Sequence, residues 1–185
     1  MRMRKKKNLD SRLEQCDGYL LETEEEIKDF SKAGENKRIL DYRQIFGNDN
    51  PVHLEIGCGK GQFILETARR NPDINFIAVE KVKNVIVAAC EKVQREQLPN
   101  VRFMACCAEY LPNYIPENSV DIIYLNFSCP FPKAKYARHR LTHRYFLEIY
   151  SGLLKKDGEI HQKTDNMHFF EFSIEELSQS VYAIK

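Results

Sequence analysis

The chain has no run of eighteen or so apolar residues, so no membrane span is expected. Its first residues, Met1-Arg2-Met3-Arg4-Lys5-Lys6-Lys7, are basic and lack the apolar stretch of a secretory signal. A cytoplasmic location, with no membrane partner, is the expectation. None of the six cysteines, at 16, 58, 90, 106, 107 and 129, forms a Cys-x-x-Cys pair. That argues against a zinc site, and no metal is expected. They should be reduced thiols, several on buried strands, where Cys acts as a small apolar residue. No internal repeat or low-complexity linker interrupts the chain.

What is present fits one domain. A chain of 185 residues can remove about 70% of its unfolded surface from water. The net charge is only +1, but the charges are unevenly placed. Leu21–Asp29 is acidic. Lys133–Arg144 carries Lys133, Lys135, Arg138, Arg140 and Arg144, with His139 and His143, and no acid. Local basic patches of this kind can hold phosphates even on a near-neutral protein.

Residues 1–50 read as a basic arm, mobile at its start, then a short helix and a lead-in loop, with no strong strand. Pro51 opens a regular alternation that runs to residue 185. Strands are predicted over Val52–Ile56, Ile74–Val79, Val101–Cys107, Asp121–Phe127 and Glu159–Lys163. Helices are predicted over Gln62–Arg70, Val82–Gln97 and Met167–Ser180, with a short one near Glu109–Tyr114. A further helix, Leu141–Leu154, is expected to end at Asp157-Gly158. Alternating strands and helices predict an α/β domain with a doubly wound, mostly parallel, Rossmann-like sheet. Ligands in such folds bind beyond the carboxyl ends of the strands, at the switch point.

Leu54-Glu55-Ile56-Gly57-Cys58-Gly59-Lys60-Gly61 joins the first of these strands to its helix. Gly57 and Gly59 let the backbone turn and a ligand approach closely. A dinucleotide fingerprint needs Gly or Ala where Gln62 stands, which counts against a dehydrogenase. Glu80 closes the second strand, where an acid can accept both hydroxyls of a ribose. Glu55 can meet a cationic group. Together these favour S-adenosylmethionine as the cofactor. The third strand's end, Cys107-Ala108, would line the adenine, with backbone in place of a carboxylate.

Further blocks are Asn71-Pro72-Asp73, Leu98-Pro99-Asn100-Val101 and Leu125-Asn126-Phe127-Ser128. The basic run with Leu141-Thr142, Gly158-Glu159-Ile160-His161 and Lys163-Thr164-Asp165-Asn166 complete the set. With these blocks the chain resembles the bacterial tRNA (guanine-N7)-methyltransferases, from about Pro51 to Ser180. The resemblance implies a class I methyltransferase domain over residues 51–185 and a guanosine of the tRNA variable loop as substrate. It implies that Glu55, Glu80 and the Cys107 and Cys129 positions line the cofactor site. It also implies that Lys133 and Asp165 contact the substrate, with Cys129 and Asp165 beside the reacting base. Two positions depart from the family's Asn-Phe-x-Asp-Pro-Trp-Pro-Lys: Cys129 replaces the Asp and Phe131 the Trp. The family's two further strands and Thr/Ser-x-Tyr-Glu motif do not appear before Lys185. An open sheet edge and a lost substrate contact are therefore expected.

Guanine N7 offers a lone pair and no proton, so its attack on a sulfonium methyl needs alignment more than a base. Lys133, Arg138, Arg140 and Arg144 are expected to hold phosphates. Phe127 or Phe131 would stack on an extruded base. The chain is expected to work as a monomer or homodimer with tRNA as partner. The rival readings are a decayed, non-catalytic RNA- or cofactor-binding relative and a methyltransferase acting on another base. Cys129 as a covalent nucleophile is weak, since in cytosine C5 enzymes the Cys follows the Pro.

Overall fold

A computed structural model describes residues 5–23 and 37–185. Residues 1–4 and 24–36, including the first part of the basic arm and most of the acidic stretch, lie outside the described residues. Six strands form one sheet: β1 (Leu20–Leu21), β2 (Val52–Ile56), β3 (Asn75–Val79), β4 (Val101–Met104), β5 (Val120–Asn126) and β6 (Leu154–Lys163). Their order is β1-β4-β3-β2-β5-β6, and every pairing is parallel. Six α-helices accompany them: α1 (Leu9–Glu14), α2 (Tyr42–Phe46), α3 (Gln62–Arg70), α4 (Lys83–Glu96), α5 (Arg144–Leu153) and α6 (Met167–Ser178).

The chain winds from β2 outward through β3 to β4, then crosses back to β5 and β6. The direction reverses beside β2, which pairs with β3 on one side and β5 on the other. One core cluster joins Leu54, Ile56, Val79, Ile123 and Leu125 to Phe146, Leu147 and Tyr150 of α5. On the other face Phe76, Ala78 and Phe103 pack with Ile64 of α3 and Ile86, Ala89 and Cys90 of α4. β2 and β3 are buried at every residue, as strands covered on both faces should be, even though β2 carries His53 and Glu55 and β3 begins with Asn75.

Several boundaries differ from the sequence expectation. Residues 1–50 do supply a strand: Leu20–Leu21 pairs with Phe103–Met104 at the sheet edge. Two residues are too few to show an alternation. The same region is bound to the domain through Arg12, whose Nε and Nη2 donate to Glu91 of α4 at 2.6 and 2.7 Å. α5 begins at Arg144 rather than Leu141, because His143 caps it, Nδ1 accepting from Tyr145 N at 3.1 Å. It ends straight into β6, without the stop expected at Asp157-Gly158. Those two residues instead lie in an irregular stretch of β6, since Val120 pairs with Leu154 and Ile122 already with Glu159. None of the six cysteines lies on a strand. Cys16, Cys58, Cys90 and Cys106 are buried on helix faces and turns, which need a small apolar residue just as often.

Gly61 explains why the glycine turn cannot be rebuilt with larger residues. It takes φ of 74°, and a Cβ there would meet the Ala89 Cβ at 2.6 Å. Helix α4 is thus packed directly on the turn. Gly61→Ala is expected to destabilise the fold by roughly 2–4 kcal/mol, from left-handed backbone plus overpacking. Urea unfolding with an unchanged m-value measures this; a loss below half a kcal/mol would refute the close packing.

Candidate active site

The carboxyl ends of β2, β3, β4 and β5 surround one cavity of about 660 Å³. Its walls include Ile56 and Gly57 after β2, Val79 and Glu80 after β3, and Cys106, Cys107 and Ala108 after β4. Phe127, Ser128, Cys129 and Phe131 close it after β5. Lys81, Glu109, Tyr136, His139, Leu141 and Phe146 complete the lining and were not singled out from sequence as site residues. Leu141 entered there as part of the Leu141-Thr142 block and as the start of a helix, not as a cavity residue.

The glycine turn is tied across the sheet. Gly57 N and Cys58 N both donate to the Val79 carbonyl, at 2.8 and 3.0 Å. Gly57 achieves this at φ of 82°, where a side chain would be strained. Glu80 is half-buried, and its Oε1 accepts from Val82 N at 2.9 Å. That bond aims the carboxylate at the start of α4 and fixes it on the cavity wall.

Glu55 stands behind the wall rather than in it, and is 2% exposed. Its Oε1 accepts from Asn126 Nδ2 of β5 at 3.4 Å. Its Oε2 is buried with no partner among the described residues, and so are Asn126 Oδ1 and Ser128 Oγ. Burial raises the Glu55 pKa from 4.5 to about 7, with the Asn126 bond opposing the rise. Unsatisfied buried polar atoms are costly and scarce in folded proteins. These three lie at the carboxyl ends of β2 and β5, and a compact cationic donor, such as the ammonium of an amino acid, would satisfy them. The buried acceptors and the Glu80 carboxylate on the cavity wall suit S-adenosylmethionine, which carries an ammonium and a ribose.

The loop after β5 is strained. Phe127 and Phe131 adopt φ of 50° and 41°. Left-handed backbone at a non-glycine costs about 1–3 kcal/mol and persists where surrounding contacts enforce it. Phe127 is 67% exposed, and Cys129, midway between the two in sequence, is exposed as well. Phe127 N also donates to the Lys163 carbonyl at 2.8 Å, tying this loop to the end of β6.

A family profile described as "Putative methyltransferase" matches residues 49–184. Over 138 residues the chain is 48% identical to the tRNA (guanine-N(7)-)-methyltransferase of Geobacillus sp. WCH70, covering 75% of this chain and 63% of that one. It is 39% identical, over its full length, to the protein of the same name from Streptococcus uberis, 82% of which is covered. The chain belongs to the tRNA (guanine-N7)-methyltransferase family. It spans less than two thirds of the Geobacillus relative's length. A solved structure described as an antibiotic-related methyltransferase shares the fold, with a TM-score of 0.59 at 23% identity over 78% of this chain and 74% of that one.

Against this family pattern, Gly57, Glu80, Cys107, Ala108 and Cys129 line one cavity, and Gly59 and Glu55 lie outside its walls. Lys133 is exposed just before a 3-10 segment, Ala134–His139, that carries Tyr136 and His139 into the lining. Arg138 is exposed, with its guanidinium 4.9 Å from the Tyr145 ring centroid. Asp165 is exposed between β6 and α6, two residues beyond Lys163, which registers with Asn126. Two expected phosphate ligands have other partners. Arg144 donates through Nε and Nη2 to Glu176 of α6 at 3.1 and 2.8 Å, and its backbone N donates to the same carboxylate at 2.5 Å. Arg140 donates to the carbonyls of Pro130 and Phe131. Among the described residues no group of three or more His, Cys, Asp or Glu could hold a metal ion, and no helix is long and apolar enough to cross a membrane.

The Glu55 environment has a pH signature. Between about pH 4.5 and 7 the native state retains a proton that the unfolded chain has released. Stability of the ligand-free protein therefore falls as pH rises through that window. Glu55→Gln removes the titration and should be more stable than the parent at about pH 8, by roughly 1–3 kcal/mol, with the gap closing near pH 4. Denaturant titrations at both pH values decide it; a variant less stable at the higher pH would show that the carboxylate is already well solvated.

Proposed function

We propose that this chain transfers a methyl group from S-adenosylmethionine to N7 of a guanosine in the tRNA variable loop. The observation that carries this is the meeting of two signals at one switch point, in a chain of this family. The receptor of Glu55, Asn126, Ser128 and Glu80 lies on one side. On the other, the strained β5 loop leads into a basic segment and is tied through Phe127 N to the Lys163 carbonyl, two residues before Asp165.

S-adenosylmethionine supplies an electrophilic methyl on a sulfonium. Glu55 holds the ammonium end, and in doing so its own carboxyl is drawn back to the ionised form. Binding should thus weaken as pH falls below about 7. Glu80 holds the ribose. Phe127, exposed at the loop's start, offers a stacking face for an extruded guanine. Lys133, Lys135 and Arg138 carry the adjacent phosphates, which positions the RNA without reading its sequence. Asp165 accepts from the guanine N1–H and amino group, and so favours the cation developing on the base. Cys129 occupies the position where the family places a carboxylate, and a neutral thiol stabilises that cation poorly. A tRNA substrate also places the protein's work in the cytoplasm.

Tritium transfer from labelled S-adenosylmethionine to unmodified tRNA, followed by borohydride and aniline cleavage, should mark one guanosine of the variable loop. Cofactor binding with no label in any tRNA would favour a non-catalytic relative. In the same assay Cys129→Asp should raise the rate by about tenfold, the worth of a charge-assisted contact. An unchanged or lower rate would show that the thiol is no deficit.

Asp165→Ala should lower the rate at least a hundredfold while S-adenosylhomocysteine affinity stays within about twofold. Equal losses of rate and affinity would move Asp165 into the cofactor site.

A further inference from the structure

Arg140 lies in the basic run, yet its fork faces the protein. Nε donates to the Pro130 carbonyl at 2.9 Å and Nη2 to the Phe131 carbonyl at 3.0 Å. Its guanidinium carbon sits 4.3 Å from the centroid of the Phe172 ring on α6. Phe172 in turn stacks on His143, the cap of α5, with ring centroids 6.3 Å apart and planes 20° from parallel. One side chain thus joins the β5 loop to helix α6, and through Phe172 it reaches the start of α5. The carbonyls it grips belong to the loop that contains Cys129 and ends at the strained Phe131. The helix it rests on follows Asp165 directly, with Asn166 as its cap, Oδ1 accepting from Phe169 N at 2.9 Å.

We propose that Arg140 is a positioning residue, locking the 127–131 loop onto α6 and so setting the distance between the Cys129 end of β5 and the Asp165 end of β6. The role needs a planar fork that reaches two successive carbonyls while its face lies on an aromatic ring. Lysine, a point donor, cannot do both. The consequence for the reaction rests on the methyl-transfer reading above; the anchoring of the loop does not.

Two variants test it, Arg140→Lys and Phe172→Leu, the second leaving the charge and both hydrogen bonds possible. Amide hydrogen exchange of the ligand-free protein should speed up about tenfold in the peptide spanning residues 127–133 in both variants, with peptides from β2 and β3 unchanged. In the methylation assay kcat should fall about tenfold or more for Arg140→Lys. The tRNA KM and the slope of log affinity against log salt should stay those of the parent. A salt slope reduced by about one with kcat intact is the mark of a phosphate ligand and overturns the proposal. Unchanged loop exchange in both variants overturns it as well. Faster loop exchange in a protein whose parent methylates no tRNA would sink the functional reading and leave the anchoring in place.

Discussion

Everything at the site depends on β2 being paired in parallel on both sides. Parallel pairing sends the carboxyl ends of β3, β2 and β5 to the same edge, and the reversal of winding beside β2 keeps helices from covering that edge. The register then decides which side chains meet. Glu55 lies opposite Ala78 on one side and Tyr124 on the other. The small Ala78 leaves room, and Asn126, two residues beyond Tyr124, reaches back to the carboxylate. A slip of one residue would turn Glu55 to the α5 face, among Leu54, Ile56 and Leu125.

That buried carboxylate is poised between two states. Without a cation its desolvation favours the neutral acid, and with one the charge is restored. The ligand-free fold therefore carries a polar defect that binding repairs. Asn126 and Ser128, at the end of β5, carry unpartnered buried atoms as well, and a cationic donor would satisfy these too.

The elements from β2 to β5 were legible because each shows its period within itself. Gln62–Arg70 is a helix with the same ends in sequence and structure, and Glu55 and Glu80 stand near strand ends a reader can count. What was not legible depends on partners far along the chain. β1 exists only because β4 offers an edge to two residues. The start of α5 is set by a histidine acting as a cap, a role its neighbours do not announce. In the basic run all five cations look alike as letters. Arg144 is taken by Glu176, which lies 32 residues away, and Arg140 by backbone carbonyls, which every residue has. Lys133, Lys135 and Arg138 are exposed. The run thus divides into a part engaged by the protein's own hydrogen-bond acceptors and a part that offers its donors to solvent, and the second is the better placed to hold an RNA phosphate.

This division bears on Cys129. A carboxylate at that position would do two jobs: stabilise a cation and, by its own hydrogen bonds, help fix the loop. A thiol does neither strongly. Yet the loop keeps left-handed backbone at both Phe127 and Phe131, which relaxes unless something else enforces it. The contacts that do so are from outside the loop: Phe127 N to the Lys163 carbonyl, and the Arg140 fork to Pro130 and Phe131. Shape at this corner therefore rests on groups other than the residue at 129. On the proposed reading, the effect of a thiol there falls on the chemical step more than on the fold.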